Sequence, residues 1–435
     1  MAQYVIRGGR PISGTIRVGG NKNAALPCIA AAIMSEGVCV LRNIPDIEDV
    51  RVMLAVFRTL GGTAEPAGTD KSVWKLAMPN VKTSGIPRDA AAKIRASILF
   101  AGPILARVGE AELPPPGGDV IGRRRLDTHF LALTELGAEV DINGVFRFCA
   151  KRLRGTEIFL DETSVTATEN AVMAASLAEG KTVLFNAASE PHVQDLCRML
   201  VQMGARIEGI GSNVLTIHGV ERLGGCDYTI GADFMETGSF IGLAASTHGR
   251  LTIEGPRPSD MRPARTAFRK LGIVWEHEGT TLHIDTRPPL RVNEDLGGMI
   301  PKIDDAPWPG FPPDLMSTAT VVATQVEGTV LIHEKMFESR LFFVDMLIRM
   351  GARIVLCDPH RAVISGATKL SGSELTSPDV RAGMAMVIAA LCASGESTIS
   401  NIYQVERGYE NLVSRLTSLG ADIKHSPPAV EAGPP

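Results

Sequence analysis

The sequence has no excess of positive charge, no long apolar run and no paired cysteine or histidine motif. Its formal net charge is −4, so it lacks the basic character that accompanies nucleic-acid binding. No apolar stretch reaches the roughly 20 residues of a membrane-spanning helix, and Met1 to Arg7 lack the apolar core of a signal peptide. The 7 cysteines contain no CxxC pair, and the 9 histidines contain no HxxxH or HExxH pair.

These absences exclude several classes of protein. We expect a cytoplasmic protein with free thiols, without a metal or organic cofactor, and without a nucleic-acid, membrane or obligatory protein partner. The hydrophobic content of 45% and charged content of 21% are typical of a globular chain. A length of 435 residues exceeds what one hydrophobic core usually serves, so two domains are expected.

One short motif recurs six times and divides the chain into repeats. Each copy is Leu or Met followed by glycine and a small or apolar residue. The copies are Leu60-Gly61-Gly62, Leu136-Gly137-Ala138, Met203-Gly204-Ala205, Leu271-Gly272-Ile273, Met350-Gly351-Ala352 and Leu419-Gly420-Ala421. Successive glycines of the motif are 67 to 79 residues apart. Each repeat reads as helix, strand, helix, strand, strand, which predicts an α/β fold.

The first helix of each repeat is apolar on nearly every side, as in the run Ala24 to Ala32. A helix without a polar face is buried, so these helices should lie inside a ring of sheets. A glycine ends each of them. Five of these glycines, such as Gly37, lead directly into a β-type run, whereas Gly109 is predicted to lead into a loop.

Six such units cannot share one core, so we group them three and three, with the break near Tyr228 to Gly231. The strand-like N-terminus is assigned to the second group, and the proline-rich C-terminus is expected to be disordered. The predicted division is a first domain at 21–230 that carries a mobile loop at 113–125, a second domain at 1–20 plus 231–425, and a tail at 426–435.

The loop Leu113 to Arg125 places a carboxylate before three guanidinium groups. Asp119 follows a Pro/Gly run, and Arg123-Arg124-Arg125 follows Asp119. Proline and glycine exclude a helix or a central strand here, and arginine binds phosphate and carboxylate in bidentate fashion. An arginine run alone is most often a solvated turn. Residues 286–313 form a second Pro/Gly-rich stretch, which predicts a long functional loop.

Cationic residues occupy equivalent edges of several repeats. Lys22 stands at the predicted N-terminus of the first helix, an end that already attracts anions. The full set is Lys22, Arg124, Arg340, Arg381 and Arg407. Two domains that close on one anion would bring these cations together. The alternative is that each forms a local ion pair.

Eight stretches, in order along nearly the whole chain, resemble the enolpyruvyl transferases. They are Gly20 to Ala24, Ile94 to Ser97, Leu113 to Arg124, Glu190-Pro191, Phe311 to Asp314, Phe337 to Arg340, Asp379 to Ala382 and Glu406 to Glu410. The residues at Lys22-Asn23 and in the loop resemble those of members that act on UDP-N-acetylglucosamine. They do not resemble those of members that make 5-enolpyruvylshikimate 3-phosphate. The resemblance implies a two-domain inside-out α/β barrel of six repeated units, with buried parallel helices surrounded by sheets.

The resemblance also implies the reaction. An enolpyruvyl group would move from phosphoenolpyruvate to the 3-hydroxyl of UDP-N-acetylglucosamine, with release of phosphate, as the first committed step of peptidoglycan synthesis. Such chemistry needs a general acid, a base and cations. Asp119 corresponds to the acid, in place of the usual cysteine, and a carboxyl group needs a raised pKa for that role. Asp314 corresponds to the base, and Lys22 and Arg407 are the other implied catalytic residues.

The residues implied to bind the two substrates fall into two groups. One holds phosphoenolpyruvate and the other holds the nucleotide sugar. Together they are Lys22, Asn23, Arg95, Arg124, Arg125, Leu126, Asp127, Thr163, Ser164, Val165, Asp314, Met336, Arg340, Asp379, Arg381 and Arg407.

Two residues depart from the pattern of this family. Arg125 replaces a proline next to the uracil position, and Thr166 replaces a glycine where the backbone approaches the diphosphate. Both lie on the nucleotide side, so the same chemistry on a different nucleotide or nucleotide-sugar acceptor stays open. A non-catalytic binding relative is the other alternative. It is disfavoured because the implied acid, base and clamp residues occur together.

Overall fold

The computed structural model describes residues 2–118, 121–122 and 125–426 of the chain. The α-helices of this part are α1 (Lys22–Ala31), α2 (Glu48–Thr59), α3 (Arg88–Ala91), α4 (Ala101–Val108), α5 (Asp127–Glu135), α6 (Val165–Ser176), α7 (Pro191–Gln202), α8 (Phe234–Ser246), α9 (Arg262–Lys270), α10 (Met316–Gln325), α11 (Val344–Arg349), α12 (Val380–Cys392), α13 (Tyr403–Glu406) and α14 (Leu412–Ser418). Short 3₁₀ helices lie at Ala32–Met34, Arg95–Phe100, Pro258–Met261, Pro313–Leu315 and Arg340–Phe343.

The strands of the described residues alternate with these helices. They are β1 (Gln3–Arg7), β2 (Ser13–Arg17), β3 (Val38–Arg42), β4 (Thr63–Pro66), β5 (Trp74–Ala77), β6 (Glu110–Leu113), β7 (Glu139–Ile142), β8 (Phe146–Cys149), β9 (Glu157–Phe159), β10 (Lys181–Phe185), β11 (Arg206–Glu208), β12 (Val214–His218), β13 (Cys226–Thr229), β14 (Arg250–Glu254), β15 (Glu276–Glu278), β16 (Thr281–Asp285), β17 (Lys302–Asp304), β18 (Gly328–His333), β19 (Ile354–Asp358), β20 (Arg361–Gly366), β21 (Glu374–Thr376), β22 (Glu396–Ser400) and β23 (Asp422–Ser426).

The six helices α1, α4, α6, α8, α10 and α12 begin the six repeats and are buried, as predicted. Every residue of α8 is buried, and so is α12 from Val380 to Leu391. α10 packs against both α8 and α12, and α4 packs against α6. Small residues permit this close packing, since a Cβ on Gly242 of α8 would come within 2.2 Å of the Thr318 side chain of α10.

In the described part of the chain, the strands form six sheets, one for each repeat. Five of them are four-stranded, with the orders β21-β22-β1-β23, β11-β12-β10-β9, β13-β3-β5-β4, β15-β16-β14-β2 and β17-β18-β20-β19. In each of these five, an edge strand runs parallel to the strand that follows a buried helix, and the other pairings are antiparallel. This arrangement confirms the predicted inside-out α/β barrel.

The prediction that Gly109 leads directly into a loop was wrong. Gly109 ends α4 with a φ of 82° and is followed by β6, which pairs with β8 in the three-stranded sheet β6-β8-β7. Ala111 and Leu113 of β6 are buried, and acidic residues alternate with them. The alternation was hard to see because one inward residue is only an alanine.

The six glycines of the repeated motif share one backbone conformation. Their φ values lie between 72° and 111°, a left-handed region that side chains other than glycine enter at a cost. Each glycine stands where an amphipathic helix ends and the chain turns into a strand. The recurrence of glycine at this point therefore has a steric cause.

The N-terminal strands join the second half of the chain. β1 lies between β22 and β23, and β2 runs parallel to β14. The described residues contain two large hydrophobic clusters, one from Ala24 to Ile230 and one that combines Tyr4 to Val18 with Phe234 to Ile423. We call these the first and second lobes. On this basis we propose the division at 21–230 and at 1–20 plus 231–425.

Two smaller predictions need correction or fall outside the description. Ser426, predicted to begin the tail, ends β23 and pairs with Gln3, while residues 427–435 lie outside the described residues. The predicted loop at 286–313 contains the strand β17, whose sequence Lys-Ile-Asp is too short and polar to stand out. Among the described helices, none is both long enough and apolar enough to cross a membrane.

Candidate active site

A cavity of ≈ 320 Å³ lies where the two lobes meet. Its wall includes the N-terminal ends of α1, α6, α8 and α12 and the 3₁₀ helices that precede α4 and α10. These residues are Lys22 and Asn23 of α1, Arg95 and Ala96 of the 3₁₀ helix before α4, Ser164 to Thr166 at α6, Phe234 and Met235 of α8, Pro313 and Asp314 of the 3₁₀ helix before α10, and Val380 and Arg381 of α12. A helix N-terminus carries a partial positive charge and unpaired N–H groups, so the cavity favours anions.

Asp49 of the first lobe joins two of the cations. Its carboxylate lies 2.7 Å from Lys22 Nζ and 2.9 Å from Arg407 Nε. Arg407 comes from the second lobe and also donates to Gln404 Oε1 and to the Lys93 carbonyl of the first lobe. Burial raises the pKa of Asp49, but Lys22 and Arg407 outweigh burial and hold that pKa below its usual value. Asp49 thus keeps two cations at the junction of the lobes.

Asp314 has the same role within the second lobe. Its two carboxylate oxygens accept hydrogen bonds from Arg340 Nη2 at 2.6 Å and from Arg381 Nε at 3.0 Å. Although burial raises its pKa, the two guanidinium groups hold the pKa of Asp314 well below its usual range. Arg381 also donates to the Tyr409 hydroxyl, which contacts Ser239 Oγ at 2.8 Å. Asp314 is therefore an ionised carboxylate that faces the cavity.

Arg340 retains unused hydrogen-bonding capacity. The residue is 5% exposed, and its guanidinium lies 5.1 Å from the centre of the Phe337 ring. Within the described residues, its Nε and Nη1 atoms have no hydrogen-bond partner. Buried donors are rarely left unpaired in proteins. These two N–H groups are suited to an anionic ligand in the cavity.

The first lobe supplies polar residues on the opposite wall. Asn21 caps α1, and its Oδ1 accepts a hydrogen bond from the N–H of Asn23 at 2.8 Å. Ser164 caps α6, and Thr163 Oγ1 donates to Asn186 Oδ1 at 2.6 Å. These caps fix the first turns of α1 and α6 at the cavity, so Asn23 and the 163–165 segment line it.

Arg125 and its neighbours form the edge of this wall. Arg125 lines the cavity, and its guanidinium makes a bidentate pair with Asp127 at 2.7 and 2.8 Å. Its carbonyl accepts a hydrogen bond from Arg95 Nη2. Leu126 packs against the core of the first lobe instead. Leu126 and Asp127 are not among the residues that line the cavity.

On the second lobe, Asp379 and Met336 also line the cavity. Asp379 caps α12, and its Oδ1 accepts the N–H groups of Arg381 and Ala382 at 2.8 and 3.0 Å. The N–H of Met336 donates to the buried Asp305 carboxylate at 3.2 Å. Hydrogen bonds between a carboxylate and backbone N–H groups thus hold both residues, which fixes the shape of this wall.

Most of the implied substrate residues converge on this one cavity. Those that line it are Lys22, Asn23, Arg95, Arg125, Thr163, Ser164, Val165, Asp314, Met336, Arg340, Asp379, Arg381 and Arg407. Asp119 and Arg124 lie outside the described residues. The alternative prediction, that each cation forms an ion pair, holds as well: Lys22 and Arg407 pair with Asp49, and Arg340 and Arg381 pair with Asp314. Both carboxylates line the same cavity, so these ion pairs are part of the site.

Sequence reasoning missed part of the wall. Glu169, His192 and Phe234 line the cavity, as does Trp308 of the second lobe. The backbone N–H of Trp308 donates to Glu190 Oε1 at 3.4 Å. Burial raises the pKa of Glu169 and Glu190 and lowers the pKa of His192 to about 4. The available signal was a charged residue inside an otherwise apolar helix, as at Glu169. Within the described ranges, no group of His, Cys, Asp and Glu could hold a metal ion.

Comparison with known proteins identifies the family. The EPSP synthase family (3-phosphoshikimate 1-carboxyvinyltransferase) matches residues 6–416. The chain belongs to the EPSP synthase family. Within this family it is 69% identical to the UDP-N-acetylglucosamine 1-carboxyvinyltransferase of Treponema denticola, over 98% of this chain and 99% of that protein. It is 63% identical to the enzyme of the same name from Treponema pallidum, over 97% and 99% of the two chains.

Solved structures of an enolpyruvyl transferase and of an EPSP synthase share the fold. The enolpyruvyl transferase NikO from Streptomyces tendae superposes with a TM-score of 0.86 at 25% identity, covering 98% of this chain and 99% of NikO. An EPSP synthase from Acinetobacter baumannii has a TM-score of 0.76 at 19% identity, over 98% and 100% of the chains. The EPSP synthase family membership and the barrel fold therefore agree, and the chain is an enolpyruvyl transferase.

Proposed function

We propose that this chain transfers the enolpyruvyl group of phosphoenolpyruvate to the 3-hydroxyl of UDP-N-acetylglucosamine and releases phosphate, as the first committed step of peptidoglycan synthesis. The observation that carries this proposal is the name shared by the Treponema relatives, which match nearly the whole chain at 69% and 63% identity. The cation-rich cavity between the lobes supports it, because both substrates are anions.

The proposed phosphoenolpyruvate clamp consists of Lys22, Arg124, Arg340 and Arg407. Lys22 and Arg407 are held side by side through Asp49, and Arg340 has two buried donors without a partner in the described residues. Arginine matches the geometry of a carboxylate or a phosphate with two parallel hydrogen bonds. Arg124 lies outside the described residues, so its part in the clamp follows from the sequence pattern.

The proposed reaction has two stages. First, Asp119 gives a proton to the methylene carbon of phosphoenolpyruvate, the sugar oxygen bonds to the adjacent carbon, and the hydroxyl proton passes to Asp314. Then the carboxylate of Asp119 takes a proton from the new methyl group, and a double bond forms between the methyl carbon and the adjacent carbon. The bond from that adjacent carbon to the phosphate oxygen breaks, and phosphate leaves as the proton on Asp314 passes to solvent. Because Asp314 has a lowered pKa, it is a weak base, and the hydroxyl proton should move only as the new bond forms.

Phosphate release from phosphoenolpyruvate tests this proposal. We expect release that depends on UDP-N-acetylglucosamine, with none for UMP or shikimate 3-phosphate as matched acceptors. Release with one of those acceptors and not with UDP-N-acetylglucosamine would establish another enolpyruvyl transfer. Tight binding of both substrates without any turnover would identify a binding protein.

A further inference from the structure

Thr166, which the sequence sets apart from its family, takes part in a buried hydrogen-bond chain. Its Oγ1 lies 3.0 Å from Nε2 of His129, which is 2% exposed on α5. The Nδ1 of His129 lies 2.9 Å from Nδ2 of Asn170, a fully buried residue one turn further along α6. We call Thr166, His129 and Asn170 the threonine chain.

The protein backbone fixes the direction of every hydrogen bond in the threonine chain. The Gly102 N–H donates to Asn170 Oδ1 at 2.9 Å, and Asn170 Nδ2 donates to the Ile98 carbonyl at 2.9 Å. A backbone N–H must meet an oxygen and a carbonyl must meet an N–H, so the amide of Asn170 has one orientation. Its NH₂ group therefore faces His129, and Nδ1 of His129 is an acceptor.

The positions of the His129 ring proton and the Thr166 hydroxyl hydrogen follow from this orientation of Asn170. With Nδ1 as an acceptor, the neutral ring of His129 carries its proton on Nε2 and donates that proton to Thr166 Oγ1. Burial, reinforced by Arg95, lowers the pKa of His129 to about 3, which agrees with a neutral ring. Thr166 Oγ1 is then an acceptor toward His129, so its own hydroxyl hydrogen must point elsewhere.

The hydroxyl hydrogen of Thr166 can point into the cavity. Thr166 is half-buried and lines the cavity, and its hydroxyl makes no other hydrogen bond among the described residues. It lies in the first turn of α6, a helix of 12 residues whose first N–H groups have no acceptor within the helix. Arg125 lines the same cavity, and its carbonyl accepts a hydrogen bond from Arg95, whose charge acts on His129. A hydroxyl donor beside these groups suits a phosphate oxygen.

We infer that Thr166 donates a hydrogen bond to a diphosphate oxygen of the nucleotide-sugar acceptor, and that His129 is a positioning residue that orients the Thr166 hydroxyl. This inference rests on the proposed function, which supplies a diphosphate substrate. It assigns Thr166 to the acceptor and not to phosphoenolpyruvate. The clamp cations Lys22, Arg340 and Arg407 are held by Asp49 and Asp314, and among the described residues neither carboxylate bonds to the threonine chain. The extra side chain at position 166 is thus a binding group.

Steady-state kinetics of Thr166→Val and Thr166→Ser test the hydroxyl. Thr166→Val keeps the shape and loses the donor, so we expect the KM for UDP-N-acetylglucosamine to rise about tenfold, the usual effect of one hydrogen bond to a charged group. The KM for phosphoenolpyruvate should stay within about twofold of wild type, and Thr166→Ser should keep the wild-type value for both. A Thr166→Val enzyme with an unchanged KM for the nucleotide sugar overturns the inference.

His129 requires a double-mutant test, because a buried substitution can simply destabilise the fold. His129→Gln retains an N–H donor and should preserve the KM for the nucleotide sugar, whereas His129→Leu should raise it. In the Thr166→Val background, His129→Leu should cause no further increase if it acts through Thr166. Thermal unfolding verifies that each variant is folded. Equal increases in both backgrounds would contradict a positioning role.

Calorimetry with UDP separates this inference from the proposed function. If wild type releases no phosphate with UDP-N-acetylglucosamine, the proposed function fails, and binding of UDP alone then decides the role of Thr166. Weaker UDP binding by Thr166→Val than by wild type and Thr166→Ser supports the inference. Equal affinities, or no UDP binding by wild type, overturn it.

Discussion

Two carboxylates determine where the cations of the cavity stand. The cationic residues were visible in the sequence because each opens a helix or follows a strand, but Asp49 was not, since an acid at the start of α2 has an ordinary explanation in the helix dipole. Its partner Arg407 is 358 residues away. No local pattern can reveal such a pair. The sequence therefore predicts the donors of the site better than the groups that hold them.

Replacement of Asp49 by Asn should destabilise the protein in a pH-dependent way. Loss of one partner of a buried ion pair typically costs about 3 kcal/mol or more of unfolding free energy. Because the pKa of Asp49 is lowered in the folded state, its stabilisation is present above the unfolded pKa of about 3.9 and is lost as pH falls through the lower folded pKa. Urea unfolding at several pH values measures this.

The matched control for that prediction is Asp46→Asn. Asp46 pairs with Arg51 at an exposed position of the same segment, and such pairs contribute little. A difference between wild type and Asp49→Asn that is constant from neutral pH to below pH of about 4 would contradict the ion-pair account.

The residue at position 119 leads to a chemical prediction. Fosfomycin alkylates a thiol, whereas the loop acid proposed for this chain is the carboxyl group of Asp119. We expect no covalent inactivation of the wild type and time-dependent inactivation of Asp119→Cys. Asp119→Ala should lose turnover but keep substrate binding. Mass spectrometry detects the adduct, and an adduct on the wild type at another residue with loss of activity would refute the assignment.

At the scale of elements, periodicity predicted most of the fold. Six apolar helices and six glycine-ended amphipathic helices were visible because a helix shows its environment over several turns. Short strands were not, because β6 and β17 contain one or two apolar residues each, which is too short a pattern to detect. The pairing of β1 with β22 and β23 depends on tertiary contacts far apart in sequence.

The position of β1 inside a sheet predicts the effect of substitutions there. Ile6 is fully buried, whereas the neighbouring Arg7 is exposed and pairs with Glu396 on the surface. Ile6→Ala should lower the unfolding free energy by about 3 kcal/mol through the lost apolar contacts and the remaining cavity. Arg7→Ala should change it by less than about 1 kcal/mol. Equal effects in urea unfolding would argue against a central position for β1.

At the scale of the whole molecule, the two lobes form a single site. The sequence repeats predicted how many units there are, but they could not show that all six units contribute residues at or just before a buried helix to one cavity. Arg407 of the second lobe contacts Asp49 and the Lys93 carbonyl of the first lobe. This contact links the electrostatics of the site to the relative position of the lobes.

Removal of this contact should separate the lobes. We expect Arg407→Ala to increase the radius of gyration in small-angle scattering while both lobes stay folded, because the buried Asp49 then has no partner in the second lobe. Arg42→Ala is a suitable control, since Arg42 pairs with Asp227 within the first lobe. Identical scattering from the wild type and Arg407→Ala would mean that other contacts hold the lobes.

The most direct test is a crystal structure of the protein with phosphoenolpyruvate and UDP-N-acetylglucosamine, trapped with Asp119→Ala. The account predicts phosphoenolpyruvate between Lys22, Arg340 and Arg407, with the sugar 3-hydroxyl in hydrogen-bond contact with Asp314. Ligands bound outside the cavity between the lobes, or a sugar hydroxyl remote from Asp314, would contradict it.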